Sequence, residues 1–196
     1  IDEHLIELIA QHEKICPHLH IPLQSGDTEI LSKMRRNYNA EQYKHITRLA
    51  TNRITPLGLG ADVIVGFPGE SEKSFECTRK LIEELPFSYL HVFSYSPRSG
   101  TEAYSFKNNI KNTKKKERNL ILSNLVKEKA HLFYKSFIGR KVTVLIEEPK
   151  VDGVLKGYSE HYIPVRIDTK SSLKNQLVPV IIKDVQKNEL VGCLES

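Results

Sequence analysis

The sequence predicts an α/β fold, parallel strands with flanking helices, followed by a small all-β unit resembling an oligonucleotide-binding barrel. Three observations predict it. Residues 58–70, GLGADVIVGFPGE, hold a short apolar run with Val63, Ile64 and Val65 at its centre, broken by a Gly-Pro-Gly turn. With little alternation, this run reads as a strand covered on both faces, and Glu70, Ser71 and Glu72 read as the start of a helix. Two further strand-like runs, residues 18–24 and 89–95, alternate with helical segments in the same way. From Arg140 onward the texture changes to five short, turn-separated β-rich runs: KVTVLIEE, GVLKGYS, YIPVRID, LVPVIIKDV and ELVGCL.

Taken in order, residues 2–13 read as a helix, because Leu5, Leu8 and Ile9 recur at helical spacing, and Pro17 ends it. In HLHIPLQ, Leu19, Ile21 and Leu23 alternate with His18, His20, Pro22 and Gln24. Pro22 lacks a ladder donor and belongs at an edge or irregularity. Ser25, Gly26, Asp27 and Thr28 turn the chain and cap a helix that carries Ile30, Leu31 and Met34 and ends in Arg35, Arg36 and Asn37. Residues 40–52 form the next helix, with Tyr43, Ile46, Leu49 and Ala50 inward, and Pro56 and Gly58 separate it from the central strand. Residues 71–85 form another, with Phe75, Ile82 and Leu85 inward. In the strand 89–95, Leu90, Val92 and the ring of Phe93 are expected to pack, and residues 96–101 form a loop. Short links and right-handed crossovers make this sheet parallel. Three strands are too few to close a barrel, and the chain opens without Met, so it is expected to begin inside a longer protein. A long helix covers residues 113–135, striped by Leu122, Val126, Ala130 and Phe133. Residues 137–139 mark a boundary, which gives two domains, 1–136 and 137–196.

Composition bounds the function. The chain has 196 residues, 39% hydrophobic and 27% charged, typical of a soluble protein. No apolar run approaches the roughly 18 residues of a membrane span. Cys16, Cys77 and Cys193 lie far apart with no CxxC spacing, so the chain offers no cysteine metal site, and a reducing, cytoplasmic setting is expected. The net charge of +5 is concentrated: residues 107–136 carry nine Lys and Arg against two Asp and Glu. A basic block of this kind is the footprint of a polyanion site, although a solvated helix face has the same composition.

The three strands end in Gln24-Ser25-Gly26, in residues 66–70 and in Tyr95-Ser96-Pro97, which places these groups on one rim. Polar side chains converging there make a pocket, although turns use the same residue types. Asp62 and Glu70 are acceptors for hydroxyl or ammonium groups. No nucleophile–base pair is evident, so the rim reads as a surface for chemistry supplied by a cofactor. His18, His20 and His91 read as satisfied core or rim histidines.

HLHIPLQSG, the following LSKMRRNY, ADVIVGFPGE and HVFSYSPRSGTEA, in this order and spacing, resemble the radical SAM tRNA methylthiotransferases, and the β-rich tail resembles their TRAM domain. The HVFSYSPR text is most similar to the branch acting on threonylcarbamoyladenosine. Branches acting on isopentenyladenosine or on a ribosomal-protein aspartate are close relatives. The resemblance implies a partial radical SAM (β/α) barrel, S-adenosylmethionine and two [4Fe-4S] clusters as cofactors, tRNA and an electron donor as partners, no membrane association, and a monomer. It assigns Gln24, Ser25, Asp62, Glu70, Tyr95 and Ser96 to the S-adenosylmethionine and substrate pocket. It assigns Lys114, Lys115, Lys116 and Arg118 to RNA phosphates, and Gly157, Tyr158, Ser159 and Tyr162 to an exposed aromatic loop that stacks on a base. The cluster-binding CxxxCxxC is absent, so the chain alone is expected to be inactive, and Gly26-Asp27-Thr28 replaces the usual Gly-Ser-Asp, a change of capping only. A half-barrel with open strand edges is expected to be poorly soluble in isolation. A non-catalytic RNA-binding module is the other reading.

Overall fold

The computed structural model describes residues 1–107, 110–151, 153–169 and 173–195, the side chains of residues 148–151 excepted. Each of the first helices starts where a short polar side chain captures an orphan N–H. Asp2 caps α1 (Glu3–Gln11) by accepting from Leu5 N. After β1 (His18–His20), Asp27 caps α2 (Thr28–Lys33). Asn39 and Gln42 form a reciprocal capping box on α3 (Ala40–Arg53). Then follow β2 (Gly58–Val65), α4 (Glu72–Glu84) capped by Ser71, β3 (Tyr89–Ser94) and a single 3-10 turn, Glu102–Ser105.

The three strands are parallel, in the order β1-β2-β3. Pro22 interrupts the ladder as its missing donor requires. Regular pairing stops at His20, yet Ile21 N donates to Gly60 O at 2.9 Å and Leu23 N to Asp62 O at 3.1 Å. One face of the sheet is the core: Leu59, Ala61, Val63 and Val65 are fully buried among Leu23, Ile82 and Leu122.

The other face departs from expectation. The central strand was expected to be covered on both sides, but Asp62 and Ile64 are half-buried, and His20, His91 and Phe93 beside them are exposed, Phe93 by 52%. This face is lined by every second residue of each strand, and its only sequence marker is the lone charge of Asp62.

The helix α5 (Asn112–Lys135) bridges two cores. Leu122 and Val126 belong to the first, Ala130 and Tyr134 to the second. Tyr134 takes the buried position expected of Phe133, which is only partly covered. The tail forms β4 (Lys141–Val151), β5 (Val154–Ser159), β6 (Pro164–Asp168), β7 (Leu177–Gln186) and β8 (Glu189–Leu194), closed in the order β4-β5-β6-β8-β7. Closure removes the sheet edges and encloses Val144, Ile146, Val165, Ile167, Val180 and Ile182. Among the described residues no helix is long and apolar enough to cross a membrane.

The barrel meets the open face of the sheet at its near end. The His161 carbonyl lies so close to Gly58 that a Cβ there would approach it to 2.2 Å. Tyr162 stacks on His18 with ring centroids 4.7 Å apart.

Candidate functional site

At the end of β2 the chain turns through Gly66 and Gly69, both with positive φ, 75° and 88°. Glu70 folds back beneath this turn and its Oε2 accepts from Gly66 N at 2.6 Å. Arg118 of α5 donates to the same carboxylate and to Glu70 O, and its second terminal nitrogen donates to Glu72 Oε1 at 2.9 Å. Burial pushes the Glu70 carboxyl above the usual carboxylate range, against the pull of the Gly66 N–H and Arg118. Its Oε1 is buried without a partner among the described residues.

Two expected pocket residues make contacts within the fold. Glu70 is committed to the turn, and Ser25, fully buried, lies within reach of the Thr78 hydroxyl and accepts from Asp27 N. Gln24, Asp62, Tyr95 and Ser96 do line one pocket of about 570 Å³ at the strand ends, beside an apolar wall that includes Phe67 and Phe93. Gln24 is held with φ 63°, rare for a residue with a Cβ, because its N–H donates to Asp62 O at 2.8 Å and its carbonyl accepts from Ile64 N at 2.9 Å. The Tyr95 ring packs edge-on to Phe67, and its hydroxyl is buried without a partner among the described residues. Lys33, Arg35, Arg36 and Arg98 add four cations to this wall, with Arg35 paired to Glu102. In the sequence Arg35 and Arg36 read as the end of a helix, and Lys33 stands beside them in the LSKMRRNY run. Their signal was the density of cations directly after the rim residues.

The basic segment at the start of α5 is partly internal. Lys115 is buried, donates to Tyr95 O at 3.0 Å and lays its stem against Gly66. Arg118 is 2% exposed. Neither faces solvent, so neither is available as a surface contact for phosphate. Lys114 pairs with Glu72 and Glu117, and Lys116 is exposed. This stretch of α5 is largely a brace beneath the rim.

The expected aromatic loop is likewise redistributed. Gly157, Tyr158 and Ser159 lie in β5 rather than in a loop. Gly157 packs against the Leu145 carbonyl, and Ser159 is buried and accepts from Ile163 N. Tyr158 and Tyr162 are half-exposed and stack on each other at 5.0 Å. The stack continues through His18 to Tyr89, whose hydroxyl lies 2.9 Å from His18 Nε2 and 3.1 Å from His20 Nδ1. On the same face His20 Nε2 lies 3.2 Å from Asp62 Oδ2, close to His91. The histidines read as bland in sequence are thus the centre of this surface.

The profile of the Radical SAM superfamily matches residues 1–82. Over nearly its whole length the chain is similar to two tRNA-2-methylthio-N(6)-dimethylallyladenosine synthases. That of Oceanobacillus iheyensis is 38% identical, covering 98% of this chain and 38% of that protein. That of Geobacillus kaustophilus is 40% identical, covering 97% and 36%. It is also similar to the threonylcarbamoyladenosine tRNA methylthiotransferase MtaB of Thermotoga maritima, 31% identical over 98% of this chain and 44% of that protein. The chain spans about two fifths of the length of these relatives.

Proposed function

From the premise that this chain is homologous to the radical SAM tRNA methylthiotransferases, we propose that it forms part of an enzyme adding a methylthio group to C2 of an N6-modified adenosine beside a tRNA anticodon. The observation that carries the reading is the pocket at the strand ends, where Gln24, Asp62 and Tyr95 meet an apolar wall. This donor set fits S-adenosylmethionine: an apolar surface for its adenine, an amide and a carboxylate for its polar groups, and a buried Tyr95 hydroxyl still lacking a partner. Bound there, S-adenosylmethionine supplies the methyl group and the radical chemistry of the family. Gln24 offers both donor and acceptor to the ligand, and Asp62 accepts from an ammonium or hydroxyl.

Cys16, Cys77 and Cys193 are free thiols, and among the described residues none joins a group of potential metal ligands. These residues do not fit an iron–sulfur cluster. The clusters implied by the resemblance, and the electron donor that serves them, would need partners outside these residues.

We take residues 1–136 as the barrel part and residues 137–196 as a TRAM-like RNA-binding barrel, in a monomeric cytoplasmic enzyme. Threonylcarbamoyladenosine is the favoured substrate. Its carboxylate gives Arg35, Arg36 or Arg98 a charged partner, and the HVFSYSPR text agrees with that branch. Dimethylallyladenosine is the second reading, favoured by the higher identity to synthases of that name.

Mass spectrometry of tRNA nucleosides from cells lacking the gene tests both. Loss of the methylthio group from threonylcarbamoyladenosine supports the first reading, and loss from dimethylallyladenosine supports the second. An unchanged nucleoside profile would sink the tRNA reading.

A further inference from the structure

We infer that His20, Asp62 and His91 form a mononuclear site for a divalent first-row transition ion on the open face of the parallel sheet. Three adjacent strands each contribute one ligand. Asp62 and His91 are register partners on β2 and β3, and His20 lies across from Gly60, one step down the same face. Side chains two residues apart on a strand share a face, so the register alone brings the three together. Their ligand atoms lie within 4.8 Å of one another, and His20 Nε2 is already 3.2 Å from Asp62 Oδ2. Ligand atoms about 2 Å from a tetrahedral zinc are separated by about 3.3 Å, so only His91, which is exposed, has to rotate inward.

The surroundings resemble those of a metal-binding histidine. Tyr89 holds His20 Nδ1 at 3.1 Å, which turns Nε2 toward Asp62. Orienting contacts of this kind fix the tautomer and ring plane of a metal-binding imidazole. The Tyr89 ring also packs edge-on to His91 at 5.4 Å. Two imidazoles and one carboxylate with an open side suit zinc(II) or iron(II), and sulfur takes no part. Such an ion would cross-link β1, β2 and β3 and would sit beside the pocket to which Asp62 also contributes. The inference stands on the sheet geometry and does not depend on the functional reading above.

The test is metal titration of the chelator-stripped full chain. Cobalt(II) should bind at one equivalent and give the visible bands of a four- or five-coordinate ion, without the charge-transfer band of a thiolate. Saturating zinc(II) should raise the melting temperature by several degrees, as expected for a ligand of the native state alone. His91→Ala and Asp62→Asn should each weaken zinc(II) affinity at least tenfold, while Cys16→Ser should not. Circular dichroism and the metal-free melting temperature establish that each variant is folded, and His91→Ala removes an exposed side chain. No saturable binding, binding unchanged by His91→Ala, or a thiolate band lost in Cys16→Ser would each overturn the site.

Discussion

Arg118 donates to Glu70 across 48 positions of sequence, and both side chains are almost wholly buried, 2% and 1% exposed. This contact fastens α5 beneath the turn that follows the central strand. The guanidinium also reaches Glu72 and packs over the Phe75 ring at 5.2 Å. The rim of the pocket is therefore shaped from below by a helix whose charge pattern reads as solvated.

Removing one partner of a buried pair is costly, because the other charge stays buried without compensation. Arg118→Ala should destabilise the chain by about 3–5 kcal/mol. The double variant Glu70→Gln, Arg118→Met should recover most of this loss. Urea unfolding of the two variants and the parent measures it. A loss below about 1 kcal/mol for Arg118→Ala, the range of an exposed pair, would show that the contact does not hold the turn.

Gln24 pairs a strained backbone with a side chain on the pocket wall. A residue with a Cβ at φ 63° costs on the order of 1 kcal/mol, which glycine avoids. Gln24→Gly should keep or raise the melting temperature while weakening S-adenosylmethionine binding about tenfold, or about 1.4 kcal/mol. Calorimetry and a thermal melt on the same samples separate the two effects. Unchanged affinity in a folded Gln24→Gly chain would remove this side chain from the ligand site.

These two residues mark the limits of what the sequence carries. Local signals are legible: Asp27, Asn39 and Ser71 cap helices as short polar residues do, Pro22 breaks its ladder, and the β-rich runs close a barrel. The burial of Arg118 and Lys115 is not legible, because their partners, Glu70 and the Tyr95 carbonyl, come from distant segments and basic residues are commonly exposed. Nor is the open face of β2. An apolar run looks the same whether one face or two are covered, and Asp62 alone is a weak sign. Ser25 reads as a ligand residue by position, yet the packing of Gly26 against the backbone of Thr78 draws it inward.

The burial of Lys115 and Arg118 leaves other cations to meet RNA. In the basic block that leads into α5, Lys107, Lys111 and Lys116 are exposed, as are Lys127 and Lys135 farther along the helix, whereas Lys115 is internal. Each phosphate contact contributes about 0.7–0.9 to the slope of log affinity against log salt. Replacing Lys107, Lys111 and Lys116 together by Ala should therefore lower the slope for tRNA by about 2. Lys115→Ala should leave the slope unchanged and lower the melting temperature instead. Binding measured across a salt series decides it, and the reverse pattern would restore Lys115 to the RNA surface.

His161 makes the junction between barrel and sheet sensitive to acid. Its ring packs against Phe137 at 4.8 Å, and its carbonyl lies over Gly58. Burial, aided by Arg140 and His18, lowers its pKa from 6.5 to about 4. The neighbouring Glu160 carboxylate, 3.9 Å away, is too weak a partner to reverse this. In the unfolded chain the imidazole takes its proton near 6.5, while the folded chain resists until about 4. The stability contributed by the neutral ring is thus complete above pH 6.5 and is lost as pH falls toward 4. Carboxylates held low by ion pairs, such as Glu72 and Glu84, contribute only from about their ordinary value of 4.5 downward, the lower end of that window, so the range from pH 7 to pH 5 isolates the imidazole from them. His161→Gln cannot take the proton, so its urea midpoint should vary less than the parent's between pH 7 and pH 5, even though its starting stability is lower. Equal dependence on pH in the two proteins would place the acid sensitivity elsewhere.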